Sequence, residues 1–229
     1  MLPPGGDERF NGYAVMSLPF SSGHVLGLRR FPITSVGPAY TSVWLRRPTG
    51  AWSIYTTVDP GVSCPRYFGS ALESTSVHDI TIMWLDDASF TVSIGDDIDL
   101  QWRVRVAATP VTRMMSGFTN ALPESMWRNQ AFLKAMGVMA GPSLRAGRVT
   151  LTGLTPNRQH FRAGPKRMWF IEDSTAVLGG TDLGPVGPLH SQAHLADFWV
   201  PQRGIFMIGS AVFDAFEPGR HSSSTAGAA

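Results

Sequence analysis

The chain has 229 residues, 43% hydrophobic and 16% charged, with a formal net charge of +2. That is enough apolar material for a sizeable core, which excludes a disordered or strongly solvated chain. So small a charge leaves little long-range field, so nucleic acid is not an expected partner. Cys64 is the only cysteine, and Lys134 and Lys166 are the only lysines. A disulfide framework, a multi-thiolate site and a wide choice of covalent lysines are thereby excluded. Residues 1–9 show neither the basic nor the apolar part of a secretory signal, and a reducing, cytoplasmic setting is expected. The most apolar stretch, residues 204–213, is shorter than the roughly 18 residues of a membrane helix and reads as a buried strand, so no membrane span is expected.

From residue 24 to 106 the chain repeats one event, a run of period-two alternation followed by turn residues. Strands are predicted at 24–33 and 40–47, separated by Thr34-Ser35-Val36-Gly37-Pro38, and at 52–58 after Pro48-Thr49-Gly50. Further strands end at Trp84, span 90–94 before Gly95-Asp96-Asp97, and resume at 100–106. The period then changes. Residues 113–141 carry methionines and aromatics at helical spacing, and Pro123 suits a first turn, which predicts a helix over about 123–136. Alternation returns at 148–154 and 159–161 around Thr155-Pro156-Asn157-Arg158. A hairpin is predicted from 166–171 and 176–178 around Glu172-Asp173-Ser174. Residues 179–201, rich in Gly and Pro, are expected to form a long ordered loop of the kind that serves as a lid or binding loop. A last strand is predicted at 203–213. The expected architecture is therefore mostly β, an antiparallel barrel or strongly curved sheet in a single domain (1–216), with a helical insertion near 113–141. A tail over 217–229 is expected to fray.

The alternating runs at His78-Asp79-Ile80-Thr81-Ile82-Met83-Trp84 and Leu100-Gln101-Trp102-Arg103-Val104, with Trp169 in a later strand, resemble the lipocalin-like (calycin) barrels. The β-helix-β order also resembles, loosely, the carotenoid hydratase-like proteins. This resemblance implies an interior pocket for a small hydrophobic molecule.

Parity places His78 with Ile80, Ile82 and Trp84, a histidine on an apolar face where an imidazole can act as acid or base near neutral pH. A core histidine bonded to backbone or hydroxyl is the ordinary alternative. Arg30 shares parity with Leu26 and Leu28 and can anchor an oxygen, or simply sit at a strand rim. His78 and Arg30 are thus the catalytic candidates. Trp84, Trp102, Trp44, Tyr40, Met114 and Trp127 are the candidate substrate-binding residues, with the methionines of 114–139 as an adaptable wall. Glu124 reads as helix-terminal charge, Asp99 as solvated, and Cys64 as a small buried hydrophobe. His190 and His194 lack a third ligand and read as loop histidines, so no metal is expected. No nucleophile elbow, phosphate loop or dinucleotide fingerprint occurs, and no cofactor is expected. Together these residues suggest a cofactor-independent enzyme, of lyase or isomerase type, working by proton transfer on a small hydrophobic substrate in a barrel cavity. A non-catalytic carrier of such a molecule is the alternative, and a structural or oligomerisation domain, including a homo-oligomer, stays open.

Overall fold

In a computed structural model, residues 2, 5–95 and 97–222 are described. The strands are β1 (Glu8–Pro19), β2 (Val25–Thr34), β3 (Tyr40–Arg46), β4 (Trp52–Thr56), β5 (Ser74–Val77), β6 (Ile80–Trp84), β7 (Ser89–Ile94) and β8 (Leu100–Ala107). A short helix α1 (Pro65–Phe68) precedes β5, and α2 (Pro110–Ala121) and α3 (Gln130–Leu144) follow β8. The chain ends with β9 (Thr152–Leu154), the 19-residue β10 (His160–Leu178), short β11 (Thr181–Asp182), β12 (His194–Leu195) and β13 (Phe198–Trp199), and β14 (Ile205–Phe213).

Among the described residues one sheet runs in the order β5-β4-β3-β2-β1-β14-β10-β8-β7-β6, antiparallel except for the parallel β4–β5 pair. Its two edges, β5 and β6, are consecutive in the chain and separated only by His78 and Asp79. Three Cα steps reach at most about 11 Å, so the edges must curl toward one another. The result is a mostly β half-barrel. It does not close into the barrel that the calycin resemblance implies, because β6 folds onto β7 instead of extending the β4–β5 edge.

The face inside the curl is packed solid. Val15, Leu28, Val43, Phe90, Trp102, Val104 and Phe206, from strands across the whole sheet, form one buried cluster there, joined by Ile80 and Ile82. Trp102 Nε1 is satisfied by Ser174 Oγ at 2.9 Å. The interior pocket implied by a calycin barrel is therefore filled with side chains. The other face is buried as well, since β3 and β4 carry almost no exposed residue on either side. Phe10, Tyr40, Trp44, Phe161 and Phe213 lie there under the segment 193–200 and under α1, which adds Tyr67.

Three local predictions differ from the structure. β1 falls in a stretch for which no strand was predicted. Its pairing with β2 shifts register between Asn11 and Tyr13 and again between Val15 and Leu18, and these irregularities break its alternation. The expected hairpin at 166–178 is instead one continuous strand, β10, whose polar Glu172–Ser174 stretch accommodates a register shift against β8. Another shift lies between Pro165 and Arg167 against β14. There α2 takes up the freed groups: Met168 N donates to Ser116 Oγ at 3.0 Å, and Thr119 Oγ1 donates to Lys166 O at 2.8 Å.

The helix expected over 123–136 is instead two α-helices flanking a 3-10 turn at Glu124–Arg128. Pro123 is extended and stands before that turn, while Asn129 caps α3 by accepting from Phe132 N at 3.0 Å. Gly137 and Gly141 lie inside α3. A Cβ on Gly137 would stand 2.7 Å from Val149 O, so these glycines allow close backbone approach. Helix α3 ends at Arg145 with φ 51°. Helix α2 starts on a capping box in which Thr109 Oγ1 accepts from Thr112 N (3.2 Å) and Thr112 Oγ1 from Thr109 N (2.8 Å). Thr109→Ala is expected to cost about 1 kcal/mol, read as a lower urea midpoint at unchanged slope.

No helix among the described residues is long and apolar enough to cross a membrane. After Glu217, where fraying was expected, Arg220 N and His221 N still donate to Glu217 O, and Ser222 N to Asn157 O. The rest of that predicted tail, residues 223–229, lies outside the described residues.

Candidate active site

On the outer face of the sheet, beneath α1 and Phe198, lies a cavity of about 100 Å³. β1 contributes Phe10, Ala14 and Met16, β2 contributes Arg29 and Phe31, and β3 contributes Tyr40 and Trp44. Cys64, Tyr67 and Phe68 descend from α1 and the residue before it. Phe198 closes the roof by packing on Trp44, Phe68 and Phe161 at centroid distances of 5.4 to 6.1 Å. Its segment is tied down by Trp52 Nε1 donating to His194 O (2.9 Å) and by Gln192 Nε2 donating to Val200 O (2.8 Å). The loop expected over 179–201 is thus an ordered cover, carrying a small two-stranded ribbon.

Among the described residues Arg29 is the one cation of this wall, at 6% exposure. Its Nη1 donates to Val15 O and Leu28 O (2.9 Å), and Nη2 donates to Met16 O at 3.1 Å. Val15 and Met16 sit where β1 shifts register against β2, so the guanidinium takes up carbonyls at the irregularity. These bonds use three of its five N–H donors. The cation also lies over the Trp44 ring, 4.9 Å from its centroid. Among the described residues no carboxylate pairs with it. Burial pushes its pKa down to about 10, which leaves it charged at neutral pH.

Next to Arg29 stands a short chain of weak acids. Tyr40 Oη and Cys64 Sγ are 3.3 Å apart, and Ser42 Oγ donates to Cys64 Sγ at 3.4 Å. Burial raises the Tyr40 phenol well above its ordinary value, with Cys64 adding to the effect, so it stays protonated and can donate. Trp44 Nε1, also buried, has no hydrogen-bond partner among the described residues. An orphaned buried N–H costs about 1–3 kcal/mol, which a ligand oxygen can recover.

A polar network braces the site from behind. Glu8, 8% exposed, accepts from Arg66 Nη2 (2.7 Å) and Nε (3.2 Å), from Tyr67 Oη (2.6 Å) and from Gln159 Nε2 (3.0 Å). Burial raises the Glu8 pKa, but the hydrogen bonds from Arg66, Tyr67 and Gln159 outweigh it and hold the carboxyl below its usual range. Burial and the Glu8 charge raise the Tyr67 phenol far above its ordinary value. Asn157 extends the network by donating to Gln159 Oε1 at 2.6 Å and to Arg66 O at 3.1 Å. It therefore fixes α1, and with it the Tyr67 ring and Cys64.

Of the candidates named from sequence, the structure brings Tyr40 and Trp44 together at this cavity. His78 lies at the seam between the sheet edges, its side chain 11% exposed. There Nε2 is 2.8 Å from Ser76 Oγ and the ring stands edge-on to Tyr55. Arg30 points to the inner-core side beside Tyr13, opposite Arg29. Trp102 is buried in the inner core, and Trp84, at 43% exposure, packs on Tyr13 and Phe90 at its margin. Met114, at 65% exposure, faces outward. Trp127 packs with Leu133 and Met136, and Lys166 Nζ lies 4.8 Å from its ring centroid. Glu124 Oε2 is 3.9 Å from that same amine. His194 stacks on Trp199 and its Nδ1 bonds to Ala196 O at 2.8 Å. Among the described residues no group of three or more His, Cys, Asp or Glu is arranged to hold a metal.

Sequence reasoning passed over Arg29, the polar partners of Cys64, and the Glu8 network. Only Arg29 had a visible signal: it shares parity with Phe31 and Val25, so it lies on an apolar face too.

No family model matches the chain, and no curated protein matches it in sequence. Among solved structures it is similar to an acetoacetate decarboxylase from Legionella pneumophila subsp. pneumophila str. Philadelphia 1. The TM-score is 0.42 and the identity 10%, over 93% of this chain and 86% of that one. A second acetoacetate decarboxylase structure gives a TM-score of 0.42 at 11% identity, over 96% of this chain and 89% of that one.

Proposed function

We propose that the protein is a cofactor-independent enzyme that binds a small, largely apolar molecule by an oxygen-bearing head and moves a proton on it. The observation that carries this reading is Arg29, a buried guanidinium without a carboxylate partner at the wall of an apolar cavity. A buried charge left uncompensated is costly, and an anionic or polarised oxygen supplies the missing partner. Arg29, with the free Trp44 N–H, would hold that oxygen. Tyr40, kept protonated, would donate to it as negative charge develops, and such preorganised donors are effective in a dry site. The carbon–hydrogen bond α to the held carbonyl becomes more acidic, and Cys64, after releasing its own thiol proton to solvent, would take that proton on its thiolate sulfur and return it, with Ser42 Oγ donating to the sulfur.

The test is exchange of solvent deuterium into the α-position of butanal, hexanal and the corresponding ketones, followed by NMR. Wild-type protein should catalyse exchange, and Cys64→Ala should lower its rate by about 10²–10⁴-fold without moving the thermal midpoint by more than a few degrees. His78→Ala, run beside it, discriminates: a loss there and not in Cys64→Ala would move the chemistry to the seam. A binding protein is the second reading, favoured by a wall that has no carboxylate or imidazole. Saturable binding with no exchange for any compound would select it.

A further inference from the structure

A second, smaller cavity of about 50 Å³ lies beside the first, between the sheet and helices α2 and α3. The two share Met16, Leu151 and Met207 as lining residues, so those three side chains are the partition between them. Behind the partition the wall is Met115, Met136 and Met168 with Ala140 and Leu144, roofed by Trp199 and Pro201. Its polar groups offer little to a ligand oxygen. Thr119 Oγ1, for one, is already committed to Lys166 O and to Met115 O within its own helix. The first cavity is therefore lined by Arg29 and by Trp44, whose buried N–H has no partner among the described residues, and the second is apolar and walled by thioethers.

We infer that the ligand is a straight-chain monocarboxylate, or a compound of the same shape. Its head sits at Arg29 and its flexible aliphatic tail passes Met16 and Met207 into the methionine-walled compartment. This rests on the reading that Arg29 holds the head. Two features select a chain over a ring. The partition is built of side chains, two of them unbranched thioethers with three rotatable bonds that can swing aside for a thin chain. The two spaces adjoin through those shared side chains, and neither alone, at about 100 and 50 Å³, takes a ring, since a benzene-sized molecule fills a cavity of about 150 Å³. Phe198 covers the head and the adjoining Trp199 covers the tail, so one loop segment encloses both ends.

The experiment is calorimetric titration of acetate, butanoate, hexanoate and octanoate into the full chain, Ala140→Leu, Met115→Ala and Arg29→Met. In the wild type each methylene beyond butanoate should tighten binding about fourfold until the second compartment is full, the increment expected for a fully buried CH₂. Ala140→Leu fills that compartment and should bring the octanoate-to-butanoate affinity ratio close to one. Met115→Ala, a milder change on the rim of the same space, should shift the optimum to a longer chain and keeps the test open if the leucine variant does not fold. Arg29→Met should weaken every chain length together. A wild-type affinity independent of length, or an unchanged ratio in both compartment variants, overturns the tail site while leaving the Arg29 head site intact. Failure of every carboxylate to bind wild-type protein overturns both.

Discussion

Arg29→Met is expected to lower affinity for a small carboxylate by about two orders of magnitude, from the loss of a charge-assisted hydrogen bond of about 1.5–3 kcal/mol. The folded state should respond weakly. Removing a buried, unpaired charge is favourable, whereas freeing the carbonyls of Val15 and Met16 is unfavourable, and the two oppose one another. The net change should be a destabilisation of about 1–2 kcal/mol. Calorimetry and a urea melt on one variant separate the roles: a guanidinium that only braces the irregular strand would shift the melt and leave binding intact. Arg29→Lys retains charge but cannot reach three carbonyls at once, so it should recover part of the affinity and little of the stability. Because the guanidinium stays charged, wild-type binding should hold through neutral pH.

Glu8→Gln is expected to destabilise the fold by about 3 kcal/mol, because it leaves the Arg66 guanidinium without the carboxylate it grips with two nitrogens. The same variant has a pH signature. The folded-state pKa of Glu8 is depressed below an unfolded value of about 4.3, so its stabilisation is fully present above that value. It is lost as pH falls through the folded pKa. Wild-type protein should therefore lose stability as the pH falls below about 4.3, and Glu8→Gln should flatten that slope by about one proton. Equal slopes in the two proteins would show that Glu8 is not held ionised by this network. Because the network also seats α1, ligand affinity should weaken modestly in Glu8→Gln, through displacement of the Tyr67 ring and Cys64.

Much of the sheet was legible in the sequence because alternation is a local signal. The hairpins through β2, β3, β4, β7 and β8 follow from period-two runs and their turn residues, and β14 from its apolar run. Where the backbone departs from regular pairing, the signal fails. β1 loses parity at its register shifts, and the polar residues 172–174 imitate a turn inside β10. Helix α2 begins at Thr109-Pro110, a capping signal that the methionine spacing downstream overshadowed.

The candidate site was less legible. Parity correctly groups Arg30 with Leu26 and Leu28, and Arg29 with the opposite face. It cannot say which face holds a cavity, and here both faces are buried. Alternation, turn residues and composition suffice for a mostly β chain with a helical insertion, a single thiol, few lysines, and a set of aromatics large enough to fill more than one apolar layer. That the inside of the curl is solid and the open space lies outside it follows from the packing of the folded chain. That space is bounded by residues as far apart as Phe10, Arg29, Cys64, Phe198 and Phe213. A void is set by how side chains from distant strands fail to fill the volume between them, and alternation along one strand carries no information about that remainder.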